Sequence, residues 1–217
     1  MRLPGIRTPP SPRTIFTRYA VAWIFLIGVA IGDIVLSALS EHRSARLLRW
    51  ASTNVTNLGH HPVAAMVLSA FLPGESLLAW LGLIALSMFG ANRALGNARI
   101  ALVCAAGHII GTAVSEGIVA YRVAHDLLPV ANRNIIDVGP SYVVVSAIVI
   151  AVAFGSWPAR IAAAIAFVIL VDVGIFDGLT QLQVAAVGHV TAIVVAAALG
   201  SALVWRRRQA AQVRPAT

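Results

Sequence analysis

The sequence alternates between long apolar stretches and short polar interruptions, and that alternation limits what the chain can fold into. Residues 19–40, 76–90, 100–121, 138–154, 160–176 and 182–205 each read as a membrane-spanning helix. Hydrocarbon offers no water to an exposed amide, so a spanning segment must satisfy its backbone internally, and a helix does so within one segment. Over the whole chain 59% of residues are hydrophobic and 11% charged, outside the range of a water-soluble domain. The expectation is an all-α membrane protein with six transmembrane helices.

Six crossings put both termini on one face, and arginine decides which. Sixteen arginines and no lysine give the chain a net charge of +8. With the N-terminus inside, Arg43, Arg46, Arg49, Arg122 and Arg133 fall outside, and the other eleven of the sixteen fall inside. The positive-inside rule therefore places both termini in the cytoplasm. Residues 1–18 carry four arginines and four prolines without an acidic residue, which predicts a disordered basic cytoplasmic tail. Residues 19–205 then form the membrane domain, and residues 206–217 a second basic tail. Arg206-Arg207-Arg208 reads as a stop-transfer anchor. The first apolar stretch is longer than a signal peptide requires, so it is expected to be retained. Charge of this kind points to lipid headgroups and not to nucleic acid. The exclusive use of arginine suggests a GC-rich bacterial genome, hence a bacterial inner membrane.

Several chemistries are not indicated. Cys104 is the single cysteine and lies in an apolar run, so there is no disulfide framework. No Cys/His spacing suits zinc and no glycine loop suits phosphate, so neither metal nor cofactor is expected. Residues 41–75 are mixed in character. Asn54-Val55-Thr56 matches a glycosylation sequon by chance, His60 and His61 read as loop residues, and the run 63–72 is too short to span. That run predicts a re-entrant or interfacial element. Asp33 in the first apolar segment is a functional candidate or an interfacial residue. His108 and Glu116, eight residues apart in the third segment, share a helix face. They are either polar contacts inside the bundle or a proton relay of the kind a small transporter would use.

The strongest chemical signal is Gly139-Pro140-Ser141 at the head of the fourth segment. Gly139 permits a tight turn, and Pro140 suits a position where no N–H is needed. Ser141 then lies in the first turn, where free N–H groups and the helix dipole favour a developing negative charge. Its partner would be His189 in the sixth segment, about 10 Å below the outer end at 1.5 Å per residue. Both segments enter from outside, so serine and histidine share a leaflet. Small residues at Gly139, Ser146 and Ala147, and at Ala192, Ala196 and Gly200, would let the two helices approach closely. His189 could then take the serine proton, with Asp137 or Asp172 as possible helpers.

In this order the pieces resemble the rhomboid family of intramembrane serine proteases over nearly all of residues 19–205. Gly139-Pro140-Ser141 is similar to the Gly-x-Ser part of the family's nucleophile motif, with Ser146 at its next small position. His189 followed by Ala196 and Gly200 resembles the sixth-helix pattern. Phe71-Leu72 and residues 62–99 resemble the end of the first loop, the second helix and the turn into the third. The resemblance implies a rhomboid-like bundle and a long, partly embedded first loop. It also implies a Ser141–His189 dyad that cleaves a transmembrane protein near the outer leaflet.

Departures from the family pattern are equally specific. The oxyanion-holding histidine and asparagine of the second helix align with Leu78 and Gly82, which donate nothing. Tyr142 stands where a glycine usually follows the nucleophile, and Thr191 and Ala192 replace a glycine pair. Gly139, His108 and Asn134 are the candidates to support the oxyanion in their place. Two other readings stay open: a catalytically inactive rhomboid-fold protein that binds transmembrane helices, and a proton-coupled transporter using Asp33, His108 and Glu116.

Overall fold

A computed structural model describes residues 11–74 and 76–212. Among the described residues the elements are helices and turns, with no β-strand. In chain order the helices are α1 (Pro12–Arg18), α2 (Ala20–Ala38), α3 (Glu41–Ala51), α4 (Val55–His60) and α5 (Pro62–Ser69). They continue with α6 (Leu77–Leu95), α7 (Asn97–Ala124), α8 (Ser141–Phe154), α9 (Trp157–Asp172) and α10 (Val184–Gln212). Helices α2, α6, α7 and α10 are long and apolar enough to cross a membrane. With 14 and 16 residues, α8 and α9 are shorter.

The bundle is built around α8. It packs against α6, α7, α9 and α10, and almost every residue from Tyr142 to Ala151 is buried. A helix enclosed this way shows no polar face, because no side of it meets water. Close approach to its neighbours depends on glycine. A Cβ built on Gly107 of α7 would strike the Ser146 hydroxyl, and one on Gly188 of α10 would strike the Tyr142 ring. Gly111 lies 3.0 Å, measured from its would-be Cβ, from the Gly188 carbonyl. The small face of α10 is buried at Ala192, Ala196 and Gly200 and serves α7 as well as α8.

Between α2 and α6 the chain runs through α3, α4 and α5. Asn54 caps α4 by accepting from the Asn57 N–H at 2.9 Å. It is buried, which closes the sequon to modification. The Asn57 amide reaches the carbonyls of Arg49 and Ser52 at 2.7 and 2.8 Å, satisfying the open end of α3. The run expected to be re-entrant is the short helix α5, with Val63 and Val67 on its exposed side.

The two expected tails are described only in part. Residues 1–10 and 213–217 lie outside the described residues, but Pro12–Arg18 is helical, its Ser11 cap accepting from the Thr14 N–H at 3.2 Å. At the other end α10 runs on through the basic segment to Gln212, since Arg and Gln favour helix and nothing breaks it before then. The start of α2 is tied to α6 by buried Asn92. Its Oδ1 accepts from the Ala22 N–H at 3.2 Å, and its amide donates to the Arg18 carbonyl at 3.2 Å.

Candidate functional site

The head of α8 is set by Gly139 and its neighbours. Gly139 has φ +135°, a value open to glycine and rare for other residues. Its N–H donates to the Ser69 carbonyl at 2.9 Å, so it is not free to meet an oxyanion. Pro140 is the N-cap, one position before the first helical position expected for it, and Ser141 is the first residue of the helix, within the first turn as expected.

Tyr142, not Ser141, fills the space against His189. The two rings meet edge to face at 5.0 Å between centroids and 84°. The tyrosine hydroxyl lies 3.2 Å from the Val184 carbonyl and 3.4 Å from Asp137 Oδ2. Among the described residues no hydrogen bond joins Ser141 to His189. Bulk at the position after the serine is the physical reason, because the ring occupies the seam between α8 and α10.

His189 is nevertheless prepared in a definite way. Its Nδ1 is 2.9 Å from the Ile175 carbonyl. A carbonyl can only accept, so Nδ1 carries the proton and Nε2 presents a lone pair. Nε2 is buried without a hydrogen-bond partner. The orienting group is thus a backbone carbonyl beyond the end of α9, which no side-chain pattern in the sequence reveals. Asp172 is exposed at the end of α9, and the Asp137 carboxylate is engaged elsewhere, so neither helper orients the ring.

Ser141 and His189 lie on neighbouring helices, α8 and α10, which pack against each other. Ile193 follows His189 by one turn, and Ile148 follows Ser141 by two, each on its residue's own face. Ile148 and Ile193 line one cavity between α8, α9 and α10. Higher up, Gly188 abuts Tyr142. Ser141 thus heads one of the two helices of this seam, and His189 lies on the other.

The other candidate oxyanion residues lie elsewhere. His108 Nε2 is 2.9 Å from the Met66 carbonyl, so its one ring proton is already donated and its buried Nδ1 is only an acceptor. Asn134 is exposed in the 3-10 turn Val130–Asn134. Leu78 is 80% exposed on the outer face of α6, and Gly82 has open space beside it. Glu116 is buried, its Oε1 without a hydrogen-bond partner. His108 therefore tethers α7 to α5 of the first loop. Asp33 is half-buried on α2.

Asp137 joins the first loop to the site. Thr53 donates its N–H to the Asp137 carbonyl at 3.0 Å and its hydroxyl to Asp137 Oδ2 at 3.1 Å. Asp137 donates its N–H to the Ser52 hydroxyl at 2.8 Å. Burial pushes the Asp137 carboxyl above the usual range, against the pull of the Thr53 and Tyr142 hydrogen bonds. Above it, a cavity of about 450 Å³ opens among Arg122, Asn132, Asp137, Gln183 and Val184. Ser52 and Thr53 went unremarked in the sequence because their partner lies more than 80 positions away.

A family model described as rhomboid-like protein matches residues 16–210. The chain belongs to the rhomboid-like protein family. Comparison with curated proteins and with solved structures returned no match. Family and apolar helices together make this rhomboid-like protein an integral membrane protein. In that setting the unusual polar interior, with Tyr142 between His108 and His189, is its distinctive feature.

Proposed function

We propose that this rhomboid-like protein is an intramembrane serine protease that cleaves transmembrane segments near the outer leaflet, with Ser141 as nucleophile and His189 as base. The observation that carries this reading is His189: buried, its tautomer fixed by Ile175, its Nε2 lone pair unpartnered, on the helix that packs against α8, which Ser141 heads. As the Ser141 oxygen attacks a peptide carbonyl, its proton passes to Nε2 and the carbonyl becomes an oxyanion. Collapse expels the amine, which takes the proton from His189, and leaves an acyl ester on Ser141. Water then attacks that ester, with His189 again relaying the proton. The free N–H groups in the first turn of α8 are the donors available to the oxyanion.

The topology in this reading has six crossings, α8 and α9 completing the set. At about 21 and 24 Å they fall short of a full hydrocarbon core. A helix enclosed by protein, as α8 is, need not match the lipid thickness. In this reading both termini face the cytoplasm, as the arginine distribution favours, the membrane is a bacterial inner membrane, and the partner is a transmembrane protein substrate.

One observation favours a second reading, a non-catalytic rhomboid-fold protein that binds transmembrane helices. Tyr142 occupies the space against His189, and the positions aligned with the family's oxyanion donors lie on the outside of α6. Fluorophosphonate labelling of the full-length protein in detergent separates the two. Labelling lost in both Ser141→Ala and His189→Ala is the expected result. A folded wild type that takes no label would refute the protease reading and leave the helix-binding one.

A further inference from the structure

At the end of the bundle remote from Ser141, three arginines converge on one cavity. It holds about 360 Å³ and is bordered by Arg160 at the start of α9 and by Arg207 and Arg208 near the end of α10. No carboxylate lines it, and its remaining walls are apolar, among them Ala153, Phe154 and Val204. Like charges gathered without a counter-ion raise the local positive potential, which favours an anion among them.

The cavity is more than a patch of surface charge. Arg160 Nε donates to the Gly155 carbonyl and its Nη2 to the Ala153 carbonyl, both at 3.0 Å. These contacts fix its guanidinium against the last carbonyls of α8 and leave three of its five N–H donors for a ligand. A second, apolar cavity of about 400 Å³ continues from Ala153 as a groove along α8, α9 and α10. Its lining includes Ile148, Val152, Ala164, Val168 and Ile193. Helical register aligns the two cavities. Ala164 and Val168 follow Arg160 at intervals of four on α9, and Ile193 lies three turns before Val204 on α10. An arginine-rimmed mouth thus stands over an apolar channel about 12 Å long on α9.

We infer that this composite is a binding site for an anionic phospholipid, its phosphate among Arg160, Arg207 and Arg208 and an acyl chain in the α8–α9–α10 groove. Phosphate suits planar guanidinium groups, which offer paired donors. A free phosphate would satisfy the arginines but leave the groove without an occupant, so a membrane lipid is the source that fits both halves. The site is independent of the chemistry at Ser141.

The test uses the full-length protein in a neutral detergent, titrated with phosphatidylglycerol, phosphatidylcholine or inorganic phosphate, with bound lipid counted by native mass spectrometry. Phosphatidylglycerol should be retained in preference to phosphatidylcholine. Arg207→Gln with Arg208→Gln should weaken it by about tenfold or more, since each arginine near a membrane surface contributes roughly fivefold. These two side chains do not hold the helix ends together, so the loss is readable in a folded protein. Ala164→Phe, which fills the groove, should weaken lipid binding with all arginines intact. Arg43→Gln with Arg46→Gln, remote from the site, should change nothing. Equal retention of phosphatidylcholine, an equal loss in the remote variant, or indifference to Ala164→Phe would overturn the proposal. Inorganic phosphate that competes at parity with the lipid would assign the cavity to a free anion instead and equally overturn it.

Discussion

Replacing Asp137 tests whether the first loop and the head of α8 are joined through one half-buried carboxyl. Burial lifts its pKa, so the folded protein holds the proton more tightly than the unfolded chain does. Between the ordinary carboxylate value and the raised folded value, the unfolded state binds fewer protons. Stability is therefore fully present below that window and falls as pH rises through it. Glu116 and Tyr142 are the titratable groups coupled to Asp137 in this interior.

In Asp137→Asn the amide oxygen can still accept from the Thr53 and Tyr142 hydroxyls, so at acid pH the variant should lie within about 1 kcal/mol of wild type. Its stability should lose the part of the alkaline decline that Asp137 causes. Asp137→Ala removes the acceptor altogether. Both donors keep a second carbonyl, that of Asp137 itself for Thr53 and that of Val184 for Tyr142. The cost should then be about 1–3 kcal/mol at acid pH, from two weakened hydrogen bonds and a small cavity, shrinking as pH rises. Reversible unfolding in mixed micelles between acid and alkaline pH measures all three proteins. An Asp137→Asn variant with the wild-type slope, or a wild type that gains stability with rising pH, would refute the reasoning.

Three further outcomes follow from packing and polar satisfaction. Gly188→Ala places a methyl against the Tyr142 ring, and should cost about 1–3 kcal/mol in the same unfolding assay. Thr112→Val should be neutral or stabilising by up to about 1 kcal/mol, because the Thr112 hydroxyl is buried without a partner and its loss orphans nothing. Asn92→Leu removes the partner of the Ala22 N–H and the Arg18 carbonyl. It should destabilise by about 1–3 kcal/mol and raise hydrogen exchange at the start of α2.

The sequence by itself determined the all-helical membrane character, the approximate positions of the principal helices and the family, because apolar segment length and helical spacing are local properties. Gly139-Pro140-Ser141 likewise marked the head of α8 through turn chemistry alone. It also presented His189 as a buried histidine among small residues, yet it left Ile175 unmarked as the group that fixes the tautomer. A backbone carbonyl has no side-chain signature, so only the fold revealed it. The same holds for Ser52 and Thr53 against Asp137, a contact across more than 80 positions, and for His108, whose proton goes to Met66. Small residues predicted close helix approach but not which ring would use the space. Tertiary packing decided that Tyr142 stands against His189, because a helix turns by about 100° per residue and one position moves a side chain to a different neighbour.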